Sequence, residues 1–123
     1  MQQCEYILML RKGFAKNVND MGMGNLLIIP NIIGTKFHPT EKPVELMKKL
    51  ILQRTQEKDI VLEPFAGSGA TCLAAVECGR RFVASELEER FCEITKERLQ
   101  GIAKRKKYGL TGLEADQIQQ SLF

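Results

Sequence analysis

Ile60-Val61-Leu62-Glu63-Pro64-Phe65-Ala66-Gly67-Ser68-Gly69-Ala70-Thr71 decides the fold. A short apolar run ends on an acid, passes through a glycine-rich turn and enters an alanine-rich stretch that reads as helix. Further on, Arg81-Phe82-Val83-Ala84-Ser85 is a second apolar run, and it too ends on an acid, Glu86. Strand, turn, helix and strand, with an acid closing each strand, is the layout of a nucleotide site in an α/β domain. Two consecutive βα units predict a parallel strand pair with a right-handed crossover.

The turn is not built for phosphate. A P-loop places Gly-Lys-Ser or Gly-Lys-Thr at its end, and no lysine follows Gly69. A dinucleotide fingerprint needs Gly or Ala three residues after Gly69, where Cys72 stands. Glu63 beside the turn would repel a pyrophosphate but suits an ammonium. S-adenosylmethionine has an ammonium, a carboxylate, a sulfonium and a ribose diol, and no phosphate. Each group has a counterpart here. The N–H groups of a helix beginning near Ser68 can hold the carboxylate. Glu63 can sit near the ammonium, Phe65 can face the sulfonium, and Glu86 can accept from the ribose hydroxyls. S-adenosylmethionine is the expected cofactor.

Size and composition bound the rest. At 123 residues the chain is long enough for one small domain. Hydrophobic residues make up 44% and charged residues 27%, which fits a globular rather than a disordered chain. No apolar run approaches a membrane span, and Cys4 to Gly13 lacks the cleavage site of a signal peptide. The expected location is the cytoplasm, with no membrane partner. Cys4, Cys72, Cys78 and Cys92 form no C-x-x-C pair, and only one histidine is present. They read as reduced, packed thiols rather than zinc ligands. The net charge of +3 is weak evidence for nucleic acid. The run Lys104-Arg105-Lys106-Lys107 closes a helix, where the dipole favours cations, and it equally suits DNA phosphates.

Along the chain, Glu5–Leu10 and Leu26–Ile29 read as short strands, and Phe14–Gly24 as loop. Thr40 is the expected N-cap of an amphipathic helix running from Pro43 to about Gln53. Asp59–Glu63 reads as a strand apolar on both faces, as in a buried parallel sheet. A helix is expected over Ser68–Cys78, a strand over Phe82–Ser85, and a helix from Glu88 to about Lys104. The stripe Phe91, Cys92, Thr95, Leu99 and Ile102 on that last helix would face the sheet. So few strands make a thin sheet that expects more protein beside it.

Phe37-His38-Pro39-Thr40-Glu41-Lys42-Pro43 precedes the glycine turn by about twenty residues. This pair of motifs, with Cys78-Gly79-Arg80-Arg81-Phe82 through Glu86 and Glu89-Arg90-Phe91, resembles the amino-methylating DNA methyltransferases that act on adenine N6 or cytosine N4. The order matches the subgroup whose catalytic motif precedes the cofactor motifs, and the resemblance covers most of residues 5–100. It implies a partial Rossmann-like methyltransferase fold, mostly parallel sheet with flanking helices, over residues 1–107, with 14–36 in the place of a target-recognition segment and 108–123 as a tail. It implies that Thr40, Lys42 and Pro43 border the methionine end of S-adenosylmethionine. It implies that Glu63, Phe65, Ala66, Gly67, Ser68, Gly69 and Thr71 surround the cofactor and that Glu86 binds its ribose. Double-stranded DNA would be the substrate, as in restriction-modification systems. Glu63 stands for the commoner Asp, and Ala70 for the commoner Thr.

One departure is larger. The family's catalytic tetrad contains Pro-Pro, and among Pro30, Pro39, Pro43 and Pro64 no two are adjacent. No catalytic residue is therefore assigned, and a missing catalytic segment or second subunit is expected. Gln119-Gln120-Ser121-Leu122-Phe123 resembles the short peptide by which bacterial proteins dock on the sliding clamp, with Gln119, Leu122 and Phe123 as anchors. The second functional reading is accordingly a non-catalytic DNA-binding or clamp-docking module with a vestigial cofactor pocket.

Overall fold

Five elements follow one another in the computed structural model: α1 (Val44–Arg54), β1 (Ile60–Glu63), α2 (Ala70–Glu77), β2 (Arg81–Ala84) and α3 (Glu89–Tyr108). The structure describes residues 4–14, 18–34 and 36–108, without the side chains of 105–108. β1 and β2 pair in parallel, with Ile60 opposite Arg81 and Glu63 opposite Ala84. A parallel pair needs a crossover, and α2 supplies it. The pairing continues one step beyond the strands, where the Ser85 N–H donates to the Glu63 carbonyl at 3.0 Å. Both acids that close the apolar runs therefore emerge at the same end of the sheet.

α2 is the centre of the packing. Ala70, Cys72, Leu73, Ala74 and Ala75 are all buried. Their small side chains let α1 and the sheet approach together. Ile51 of α1 meets Ala74 and Ala75, and Val44, Met47, Val61, Cys78 and Phe82 close around them. Burying a side chain such as Ile51 contributes about 1.5–3 kcal/mol. Burial, reinforced by Glu63, pushes the Cys72 thiol up to about 11, so it stays protonated and inert at neutral pH. α1 is tied to the far end of α2 by an ion pair between Lys48 and Glu77. Arg80 adds two bonds to Thr55, Nε to Oγ1 at 2.9 Å and Nη2 to the carbonyl at 2.8 Å. Gln53 is buried on α1 and exchanges two hydrogen bonds with the backbone of Asp20, which docks the segment around residue 20.

α3 buries Phe91, Thr95 and Ile102. Thr95 meets the glycine turn: a Cβ built on Gly69 would lie 2.6 Å from its Cγ2 and Oγ1. The turn is shaped accordingly, with φ of 54° at Gly67 and 83° at Gly69.

Several expectations are corrected. Glu5–Leu10 and Leu26–Ile29 join no ladder, and Tyr6, Leu8, Leu26 and Ile28 are exposed. A strand exists only with a partner, and none of the described residues offers them one. β1 is not buried on both faces. Val61 and Phe82 point to α2, while Ile60, Leu62 and Val83 on the opposite face are 56%, 72% and 57% exposed. Thr40 does not cap α1. Pro43 is the N-cap residue, at φ −58° and ψ 131°, and no side chain caps it. The Thr40 hydroxyl instead lies 3.0 Å from His38 Nδ1. Of the basic run, only the Lys104 side chain is described, and it is exposed. Gln119, Leu122 and Phe123 lie outside the described residues. Among the described residues no helix is long and apolar enough to cross a membrane.

Gly69→Ala meets two obstacles, a left-handed backbone and a stiff β-branched neighbour. It is expected to destabilise the fold by about 2 to 4 kcal/mol in chemical denaturation. Adding Thr95→Ala should recover part of that loss.

Candidate functional site

The site is assembled at the end of the sheet where Glu63 and Glu86 emerge. Glu63 turns its carboxylate back, and Oε1 accepts the Phe65 N–H at 3.0 Å. The turn then folds against the end of β2. The Ala66 N–H donates to the Ser85 carbonyl at 2.9 Å, and Ser85 Oγ donates to the Pro64 carbonyl at 2.7 Å. The Gly69 N–H closes the turn on the Ala66 carbonyl at 2.9 Å. From α3, Thr95 Oγ1 donates to the Gly67 carbonyl at 3.2 Å.

Glu86 straps this turn to the start of α3. Its Oε2 accepts the Gly67 N–H at 2.7 Å. Its Oε1 accepts the N–H groups of Leu87 at 2.8 Å and Glu88 at 3.0 Å. These donors, the Glu88 N–H foremost and then that of Gly67, hold the Glu86 carboxyl below its ordinary value of 4.5. Among the described residues Oε2 takes only one donor, and it keeps room for another.

The opposite wall comes from the segment before α1. His38 Nδ1 accepts the Thr40 N–H at 3.1 Å, and its ring lies 4.3 Å from that of Phe91. Lys42 pairs with Glu5 at 2.6 Å, an exposed bridge of about 0–1 kcal/mol. Glu41 is buried, its Oε2 accepts the Phe37 N–H at 2.9 Å, and its Oε1 meets Arg98 at 2.8 Å.

A cavity of about 330 Å³ lies between these walls. That falls in the range of small-molecule sites, about 300–1,000 Å³. Of the residues expected from sequence, Thr40, Lys42, Glu63, Phe65, Ala66, Gly67, Ser68, Thr71 and Glu86 line it. Pro43 and Gly69 do not: Pro43 stands at the root of α1, and Gly69 is buried beneath the turn against Thr95. His38, Glu41, Met47 and Ala70 complete the lining. Met47 lies on the stripe that reads as core. Glu41 reads as a filler of the first helical turn, because its partner stands far along the chain in α3.

With Glu41 matched by Arg98, the acids left in the cavity are Glu63 and Glu86. Among the described residues, Lys42 is the only lysine or arginine in the lining, and it is paired outward with Glu5. Such a cavity suits a ligand with a cationic amine and vicinal hydroxyls, and it disfavours a polyphosphate. The start of α2 opens on it through Ala70 and Thr71, next to Ser68, and the first N–H groups of a helix lack helical partners and so suit an anionic group.

A value lowered on folding means that the strap contributes fully above the ordinary carboxylate range and is lost as pH falls through the lowered value. In an NMR titration the Glu86 carboxyl carbon should change with a midpoint below 4.5. The Gly67 amide resonance should move with it, and Glu86→Gln should abolish that acid-range movement.

Known proteins share this arrangement of sequence and fold. A family model described as DNA methylase, for N6- and N4-acting enzymes, matches residues 12–97. Type II methyltransferase M2.DpnII of Streptococcus pneumoniae is 37% identical over 95 residues, which are 77% of this chain and 35% of that protein. Type II methyltransferase M2.LlaDCHI of Lactococcus lactis subsp. cremoris is 36% identical over 105 residues, 85% of this chain and 38% of that protein. The chain thus spans less than two fifths of the length of these curated relatives. The crystal structure of an M1.HpyAVI–SAM complex superimposes with a TM-score of 0.57 at 37% identity, covering 70% of this chain and 45% of that one. The cytosine-N4-specific PvuII DNA methyltransferase gives a TM-score of 0.57 at 26% identity, covering 61% and 31%. The family model's match to more than half of the chain means that this protein belongs to the N6-adenine/N4-cytosine DNA methylase family.

Proposed function

We propose that this chain is the S-adenosylmethionine-binding part of a DNA methyltransferase that acts on an exocyclic amine of adenine or cytosine. One observation carries the reading: Glu63, Glu86 and the His38–Lys42 segment line a single cavity around a glycine turn that has no phosphate-binding lysine. The donor set fits the cofactor. Glu63 answers its ammonium, the free position on Glu86 Oε2 answers its ribose hydroxyls, and the start of α2 answers its carboxylate. Phe65, exposed at the rim, offers a ring face to the sulfonium. Thr40, Lys42 and Pro43 border the methionine end, and Ala66, Gly67, Ser68, Gly69 and Thr71 shape the turn around it.

When bound, S-adenosylmethionine supplies an electrophilic methyl group on a sulfonium. This chain's residues bind and orient that donor and shield it from water. In double-stranded DNA the target amine is reached by flipping the base out of the stack. The residues that hold the base are not in this sequence, which has no adjacent prolines. They come from a further segment or a second subunit. The uncovered sheet face of Ile60, Leu62 and Val83 supports this, because so much apolar surface on a short strand pair asks for a covering layer. The alternative, a non-catalytic DNA-binding or clamp-docking module with a vestigial cofactor pocket, is not favoured, because the cavity keeps both of its acids, Glu63 and Glu86.

Calorimetric titration tests the proposal. S-adenosylmethionine should bind one to one, and ATP should not compete. Glu63→Ala should weaken binding about tenfold or more, as expected for a lost charge-assisted contact of about 1.5–3 kcal/mol. Absence of heat at millimolar S-adenosylmethionine would sink the proposal. DNA methylation by this chain alone would contradict the assignment of the base-holding residues to another segment.

A further inference from the structure

We propose that Arg98 is the positioning residue that sets the spacing between the two walls of the cavity. Its Nη1 donates to Glu41 Oε1 at 2.8 Å and to the Ser68 carbonyl at 2.6 Å. Its guanidinium carbon lies 4.8 Å from the centroid of the Phe37 ring. Glu41 spends its other oxygen on the Phe37 N–H. A single cation from α3 thus joins the segment before α1 to the glycine turn after β1.

Among the described residues, the other hydrogen bonds and ion pairs at the site do not cross the cavity. Glu63, Ser85, Glu86 and Thr95 secure the turn from the sheet side and from α3. His38 and Thr40 bond to each other. Between the walls, the ring of His38 reaches only ordinary van der Waals distance from Gly67, 3.8 Å from a Cβ built there. Arg98 is the exception, and it is sunk in the fold: its side chain is 18% exposed and that of Glu41 3%. A buried ion pair gains little net stability over an apolar pair of the same volume. What it supplies is a fixed geometry. The guanidinium lies over the Phe37 ring while its Nη1 holds two acceptors; an ammonium could hold two acceptors but has no planar face to lay on the ring. Thr95 stands one turn earlier on the same face of α3, so the helix presents two side chains to the turn at once. Arg98 is not itself in the cavity lining and acts through Glu41 and Ser68, which are.

The role in ligand binding rests on the cofactor reading above, and the test separates the two. Arg98→Met would strand the buried Glu41 charge, so the deciding variant is Glu41→Met/Arg98→Met, which removes both charges at similar volume. It should melt close to the parent. Amide exchange should quicken about tenfold or more at Glu41, Gly67 and Gly69, while Cys78 and Arg81 stay protected. The affinity for S-adenosylmethionine should fall at least tenfold, with Arg98→Lys in between. Parent-like exchange at Gly67 and Gly69 would overturn the proposal. So would parent-like affinity in a double variant that melts normally. Failure of the parent chain to bind S-adenosylmethionine would strike the cofactor reading, and the exchange result would then decide the role of Arg98 alone.

Discussion

Gly69 leaves no room for a side chain, and α3 occupies that room. The contact with Thr95 sets how closely the last helix approaches the turn between β1 and α2. The rest of the site follows from it. With α3 at this distance, Thr95 reaches the Gly67 carbonyl and Arg98 reaches the Ser68 carbonyl. Phe91, at the start of the same helix, backs His38. The loop adopts left-handed backbone at two positions because bonds from the sheet side and from α3 over-determine it.

The βαβ unit was legible in the sequence because its signals are local. Apolar runs of strand length, a glycine turn and an alanine-rich helix lie within one short stretch, and each agrees with its neighbours. The same holds for the site residues that the turn carries. What sequence could not show depends on partners far along the chain. Glu41 looks like a solvated first-turn acid until α3 brings Arg98 to it. Thr40 looks like a cap until His38 engages it and the helix starts at Pro43 instead. Glu5–Leu10 and Leu26–Ile29 have the composition of strands, but composition does not create an edge to pair with. The open faces of Ile60 and Leu62 mark the same limit from the other side: the pattern of a fully buried strand is present, and the cover is not.

In the reading proposed above, the charge arrangement is what lets the turn favour S-adenosylmethionine over a polyphosphate. Glu63 and Glu86 stand on either side of it, and both are held by backbone N–H groups rather than by cations. Among the described residues, no lysine or arginine pairs with either. Glu41, which would add a third negative charge, is answered by Arg98, and Lys42 is drawn outward by Glu5. The cavity keeps its negative character by pairing every other charge away from it.

Gln53 grips Asp20 by its main-chain atoms, giving and taking one hydrogen bond as a neighbouring strand would, while the Asn19 side chain donates to the Leu52 and Thr55 carbonyls and accepts from Gln56 Nε2. Half of this mooring ignores side-chain identity, and half demands an amide at position 19 that both gives and receives. A replacement at Asn19 would cut three tethers to the end of α1 at once, whereas one at Asp20 would leave the two main-chain bonds to Gln53 intact.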